Sequence, residues 1–214
     1  MTAAVEFGAR DDAEGLLLAE AFQLLLTEGR PVTVERLAAA LGSDAQTVTA
    51  PLGRLEQAGR TRRNPAVAVT GSLGLSVEPT AHELIVNGAR RWTWCAYDAV
   101  GILAALGASG QVRSHSPHTG APIELAFEQG TPATDSPVVV FLAQGPWVSV
   151  VDDWCPLVNF FEDPDTAAAW AAQHGIAGTA VPLPQAAATG GAAWRSQLGQ
   201  RAGQEGDEGA AACC

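Results

Sequence analysis

Lysine is absent from this 214-residue chain, and all twelve basic residues are arginine. No function follows from the missing lysine itself. The charge balance does bear on partners: against 23 acidic residues, the arginines leave a formal net charge of −11. An acidic surface is repelled by nucleic-acid phosphates unless its basic groups cluster locally, so a nucleic-acid partner is disfavoured. Long apolar runs are missing as well. No uninterrupted stretch approaches the ~20 residues of a membrane span, which argues against a membrane protein. Residues 1–7 show neither the basic n-region nor the apolar h-region of a secretory signal. The expected location is the cytoplasm, where thiols stay reduced. Cysteine is scarce, with four in all. In a reducing compartment these read as reactive or metal-binding groups and not as a disulfide framework. No repeat of useful length is visible. The length suits one ordinary domain, or a small domain joined to a medium one, and can bury a core without disulfide staples.

What is present is a succession of helix and strand signals. Residues 11–29 carry Leu16, Leu17, Leu18, Ala21, Leu24 and Leu25 on one face, with Gly29 as a stop. Thr33 is a candidate N-cap for a short helix ending at Gly42, without the glutamate that would complete a capping box. A third helix is expected from Ser43 to about Gly59; Gln46 fits a capping box with Ser43, and Pro51 warns of a kink or early end. Alternating Val67 and Val69 and a Thr70-Gly71-Ser72 turn signal follow. His82–Val86 reads as a strand closed by Asn87-Gly88, and Cys95 stands at or near the start of a helix running to Leu106. Residues 137–142 and 147–151 read as buried strands, residues 165–174 as a helix capped near Asp165 or Thr166, and residues 176–183 as a last strand. The expected fold class is α+β. It comprises a winged-helix-like helical domain over residues 1–80 and a mixed or antiparallel-sheet domain with flanking helices over residues 81–184. Residues 185–214 read as a mobile Ala/Gly-rich tail ending in Cys213-Cys214.

The chemistry concentrates in Arg91-Trp92-Thr93-Trp94-Cys95-Ala96-Tyr97-Asp98 and in Asp153-Trp154-Cys155-Pro156, sixty residues on. Residues at i and i+3 share a helix face, so Cys95 and Asp98 can serve one site. Two thiols can hold a soft metal, and a carboxylate beside them can move a proton. A helix N-terminus favours the thiolate of Cys95, and Arg90 and Arg91 could act in the same direction, while an ionised Asp98 would oppose it. A free cysteine in an apolar segment is as a rule a core residue. The aspartate three residues from Cys95 and the repeated Trp-Cys dipeptide set this pair apart from that rule.

The string Trp94-Cys95-Ala96-Tyr97-Asp98 resembles the Trp-Cys-Ala-x-Asp motif of organomercurial lyases (alkylmercury lyases). Residues 114–122 look like that family's following loop, Trp154-Cys155-Pro156-Leu157-Val158-Asn159-Phe160-Phe161 like its second cysteine segment, and residues 166–174 like the helix after it. The resemblance spans roughly residues 15–185. It implies that Cys95 is the first catalytic cysteine, Asp98 the catalytic aspartate and Cys155 the second catalytic cysteine. Ser116 stands where some family members carry a further cysteine, outside the trio.

The reaction this resemblance implies is protonolysis of R–Hg–X to R–H and Hg(II), in the service of mercury detoxification. Cys95 and Cys155 would hold the product ion, with Asp98 as a further contact. No organic cofactor is implied; low-molecular-weight thiols would act as co-substrates that remove the ion. Trp94 and Tyr97 are candidates for shaping an apolar pocket around R. Cys213 and Cys214 resemble the paired C-terminal thiols with which mercuric reductases pass Hg(II) along, and suggest hand-off to such a reductase. Two rivals belong to other classes. One is a winged-helix transcription regulator that senses a thiophilic metal, suggested by the Arg60, Arg62, Arg63 cluster. The net charge and a recognition helix with Arg54 nearly alone count against it. The other is a Hg(II)-binding protein without catalysis, which needs both cysteines but not Asp98.

Overall fold

The computed structural model describes residues 13–199. It opens with three helices, α1 (Ala13–Glu28), α2 (Val34–Ala40) and α3 (Ala45–Gln57). Thr33 caps α2 as expected, accepting the Arg36 N–H at 3.2 Å. The cap of α3 is Asp44 and not Ser43: its carboxylate accepts the Thr47 N–H at 2.8 Å. A carboxylate there also meets the positive end of the helix dipole, which a hydroxyl does not match. Pro51 lies inside α3 without ending it.

The main sheet has eight strands: β1 (Thr61–Arg63), β2 (Val69–Ser72), β3 (Leu75–Ser76), β4 (His82–Val86), β5 (Ala89–Thr93), β6 (Gly110–His115), β7 (Pro122–Glu128) and β8 (Thr131–Pro132). Their order is β1-β2-β3-β5-β4-β6-β7-β8, and every neighbouring pair is antiparallel. Asn87 and Gly88, at φ 50° and 78°, make the two-residue turn between β4 and β5. The turn expected at residues 70–72 lies later. Residues 69–72 are β2, and Leu73 and Gly74, at φ 48° and 83°, link it to β3. The sheet runs unbroken through the boundary expected at residue 80, because β3 pairs directly with β5.

Helix α4 (Ala96–Leu106) packs on β4 and β5. A second antiparallel sheet has the order β10-β9-β11, with β9 Val139–Ala143, β10 Phe160–Phe161 and β11 Gly178–Pro182. Helix α5 (Pro164–His174) is capped by Asp163, two residues before Asp165 and three before Thr166, through the Thr166 N–H at 2.7 Å. Among the described residues, no helix is long and apolar enough to cross a membrane.

Two further expectations are corrected. Residues 147–151 do not form a strand: Val150–Trp154 is a single π-helical turn, followed by a 3-10 turn over Cys155–Leu157. Local side chains take up the backbone there. Ser149 Oγ accepts the Asp152 N–H at 3.2 Å, and Asp153 Oδ2 accepts the N–H groups of Val148 and Ser149 at 3.0 and 2.9 Å. The tail does not begin at residue 185 either, because Leu183–Leu198 is a sixth helix, α6. Ala186, Ala187, Gly190, Gly191, Trp194 and Leu198 recur along its buried side. A Cβ on Gly190 would stand 2.9 Å from the Gly101 Cα, so glycine permits the close approach of α6 to α4. The remainder of the expected tail, with Cys213 and Cys214, lies outside the described residues.

Candidate active site

Cys95 lies two residues beyond the end of β5 and is the N-cap of α4, at φ −148° and ψ 173°. The i to i+3 spacing read from the sequence is realised as a reciprocal capping box. The Asp98 N–H donates to Cys95 Sγ at 3.4 Å, and the Cys95 N–H donates to Asp98 Oδ2 at 2.9 Å. Thr93 Oγ1 fixes the same turn by donating to the Cys95 carbonyl at 3.0 Å. The second thiol arrives through a backbone tie, the Ala96 N–H to the Val158 carbonyl at 3.1 Å, which docks the 3-10 turn beginning at Cys155 onto the start of α4. One ligand atom from each of Cys95, Asp98 and Cys155 then lies within 4.8 Å of the others.

All three are buried, at 0%, 4% and 1% exposure. Burial decides their protonation. It pushes the Asp98 carboxyl up to about 7, against the pull of its hydrogen bonds from Cys95. It pushes the Cys95 thiol well above its ordinary value, and the hydrogen bond with Cys155 and the charge of Asp98 add to the rise. For Cys155 the hydrogen bond with Cys95 acts downward, but burial and the Asp98 carboxylate outweigh it and the thiol is raised. The helix N-terminus therefore does not leave Cys95 a standing thiolate. Neither neighbouring arginine helps: Arg90 pairs with Glu83 at 2.6 Å. Arg91 is turned to the C-terminus of α1, donating to the Leu25 carbonyl at 3.0 Å and also to that of Leu26.

Of the trio, Asp98 faces a narrow cleft, which Leu73, Gly74, Trp94, Val150, Trp154 and Trp194 also line. The turn between β2 and β3 presses on the carboxyl, since a Cβ on Gly74 would sit 2.4 Å from Asp98 Cγ. That turn is held from two sides, by the Trp94 N–H to the Gly74 carbonyl at 2.9 Å and by Trp194 Nε1 to the Leu73 carbonyl at 2.8 Å. Trp94 therefore stands where a pocket residue was expected. Tyr97 instead sets its ring edgewise against Trp154 and Trp194, with centroids 6.3 and 5.7 Å apart. Gly74 and Trp194 escaped the sequence reading. The signal for Trp194 was the spacing of three and four between small residues before it, which marks one face of a helix. The arginine cluster that suggested a regulator is engaged internally. Arg62 pairs with Asp152, Arg63 with Glu56, and Arg60 donates to Gln197 at 3.1 Å.

Comparison with known proteins agrees in both sequence and shape. The alkylmercury lyase (MerB) family pattern matches residues 75–195. The alkylmercury lyase of Streptomyces lividans is 33% identical over 165 residues, which cover 76% of this chain and 74% of that protein. That of Pseudomonas putida is 36% identical over 154 residues, 70% of each. The crystal structure of the mercury-bound form of MerB2 superposes with a TM-score of 0.75 at 26% identity, covering 87% of this chain and 97% of that one.

Proposed function

The chain belongs to the alkylmercury lyase family, and from that premise we propose that Cys95, Asp98 and Cys155 together perform the protonolysis of R–Hg–X to R–H and Hg(II). The observation that carries the assignment is the mutual approach of two sulfurs and one carboxylate oxygen within 4.8 Å. Mercury is a soft ion and prefers thiolate ligands. Asp98, hydrogen-bonded to Cys95 and raised to about 7, is divided between acid and base near neutral pH. As base it takes the Cys95 proton; the Cys95 thiolate displaces X from mercury. The Cys155 sulfur then adds to mercury, and its proton leaves with X as HX. The electron pair of the carbon–mercury bond stays with carbon, which takes the proton from Asp98. Two thiols and R–Hg–X thus become R–H, HX and Hg(II) held by two sulfurs, with Asp98 as a further contact. A coordinating metal makes up the deficit of thiolate that burial imposes, because it deprotonates the thiol it binds.

The test is benzene release from phenylmercuric acetate in excess thiol. Asp98→Ala is expected to retain mercury and to lose roughly 10²-fold or more in release, the range of a positioned acid–base group. Cys155→Ser is expected to lose turnover as well. Benzene evolution at the wild-type rate in either variant would remove that residue from the mechanism.

Removal of the product falls to low-molecular-weight thiols in the cytoplasm and to a mercuric reductase, with Cys213 and Cys214 as the relay. Truncation after Ala212 should slow mercury transfer to a reductase while leaving benzene release intact. Transfer at an unchanged rate would end the relay idea.

A further inference from the structure

We propose that the cleft beside Asp98 is the seat of the R group, and that Trp194 and Val150 set the largest R it accepts. This rests on the reading of Asp98 as the group that protonates carbon. The geometry supplies the rest. Neither sulfur lines the cleft, whereas Asp98 does. An ion held by the two sulfurs lies behind the carboxyl. A carbon that receives its proton from Asp98 must lie on the cleft side of that ion, and whatever the carbon carries extends between the tryptophans.

The walls specify the chemistry of that substituent. Trp154 Nε1 donates to the Ala143 carbonyl at 3.0 Å and Trp194 Nε1 to the Leu73 carbonyl at 2.8 Å. Their polar atoms are thereby satisfied by backbone carbonyls, and what the rings offer a substituent is carbon. Leu73 and Val150 add aliphatic surface. Arg60 also borders the space, its guanidinium donating to Gln197. A substituent here gains by leaving water against walls that are mostly carbon, so R is apolar. It is also small. The enclosed part of the cleft is narrow, with room for little more than one water-sized group before its walls move. A short alkyl group therefore demands the least movement of the walls, and a ring demands more.

The two limits differ in how firmly they stand. Trp194 is buried and packed on α4, where a Cβ on Gly101 would meet its Cε3 at 2.7 Å. Val150 is half-buried, on the turn that precedes Cys155, and lines the cleft. A larger residue at 150 therefore fills the cleft with little risk to the core.

The experiment compares kcat/KM for phenylmercury and methylmercury in excess thiol, read as benzene and methane. Val150→Phe is expected to lower the phenyl-to-methyl ratio about tenfold, and Trp194→Leu to raise it by a similar factor, the range that one to a few methylenes commands in an apolar pocket. A change of less than threefold in Val150→Phe, or a change in the opposite direction, overturns the proposal. The same outcomes in Trp194→Leu count equally where circular dichroism shows that variant folded; otherwise Val150→Phe decides alone. A wild-type protein that releases neither hydrocarbon would instead strike at the lyase mechanism itself, so the two failures are distinct.

Discussion

Asp98 costs the protein stability at neutral pH, and the cost has a definite sign. Its folded value is about 7 against an ordinary 3.8, because burial disfavours the charged carboxylate. Between those values the folded chain keeps a proton that the unfolded chain has released. The contribution is therefore fully present below pH 3.8 and is lost as pH rises through 7. His82 works the other way. It is buried beside Ser114 Oγ at 2.9 Å and held at about 4 against 6.5, so between those values only the unfolded chain takes up the proton and stability rises with pH. From pH 4 to 6.5 the two slopes oppose each other. Asp98→Asn removes only the first, and its amide oxygen can still accept the Cys95 N–H. The stability of this variant relative to wild type is expected to grow from pH 4 to 7 and then level off, by at most about 4 kcal/mol. Urea denaturation of both metal-free proteins at several pH values checks this, and taking the difference cancels the exposed carboxylates. A difference that stays constant across that range would show that the fold does not hold the Asp98 proton.

At the scale of elements, what was legible in the sequence was what local chemistry decides. The start of α4 is a cap and its reciprocal partner three residues on, both inside one stretch of four residues. Strand β4 alternates buried and half-buried residues and ends in an Asn-Gly turn, and needs no distant partner to be recognised. The elements missed are those whose signal is weak or whose cause is remote. Helix α6 buries chiefly alanine and glycine, and its cohesion comes from close backbone approach to α4, which hydropathy does not register. The run Val148-Ser149-Val150-Val151 has the β-branched composition of a strand. The side chains of Ser149 and Asp153 capture its backbone, Asp152 pairs with Arg62, and Ser149 lies close against Gly59. Arg91 was placed with Cys95 by adjacency, but its acceptors lie 65 and 66 residues earlier, on α1. In the candidate site, the carboxylate and both sulfurs were legible as a motif. The turn that covers the carboxyl and the indole that holds that turn were not, because they meet Asp98 only in the folded chain.

At the scale of the molecule, the site draws on every part of the described chain. The Leu73–Gly74 turn comes from before residue 80, Cys95, Asp98 and Cys155 from the middle, and Trp194 from beyond residue 184. The main sheet is shared in the same way, with β1, β2 and β3 continuing into β5, and Phe22, Leu18 and Leu25 of α1 buried in the same core as Val100 and Leu103 of α4. Cutting at residue 80 would leave β5 an edge strand paired only with β4, strip α1 from the sheet and open Asp98 to water, the last of which removes the main cause of its raised value. The full chain is accordingly expected to unfold in a single transition, with far-UV circular dichroism and tryptophan fluorescence superimposing in urea. A fragment of residues 81–199 is expected to show no cooperative transition and no benzene release from phenylmercuric acetate. Two resolved transitions in the full chain, or a fragment that folds and turns over, would mean that the helices and first strands are an appendage and not part of the structure that holds the proton on Asp98.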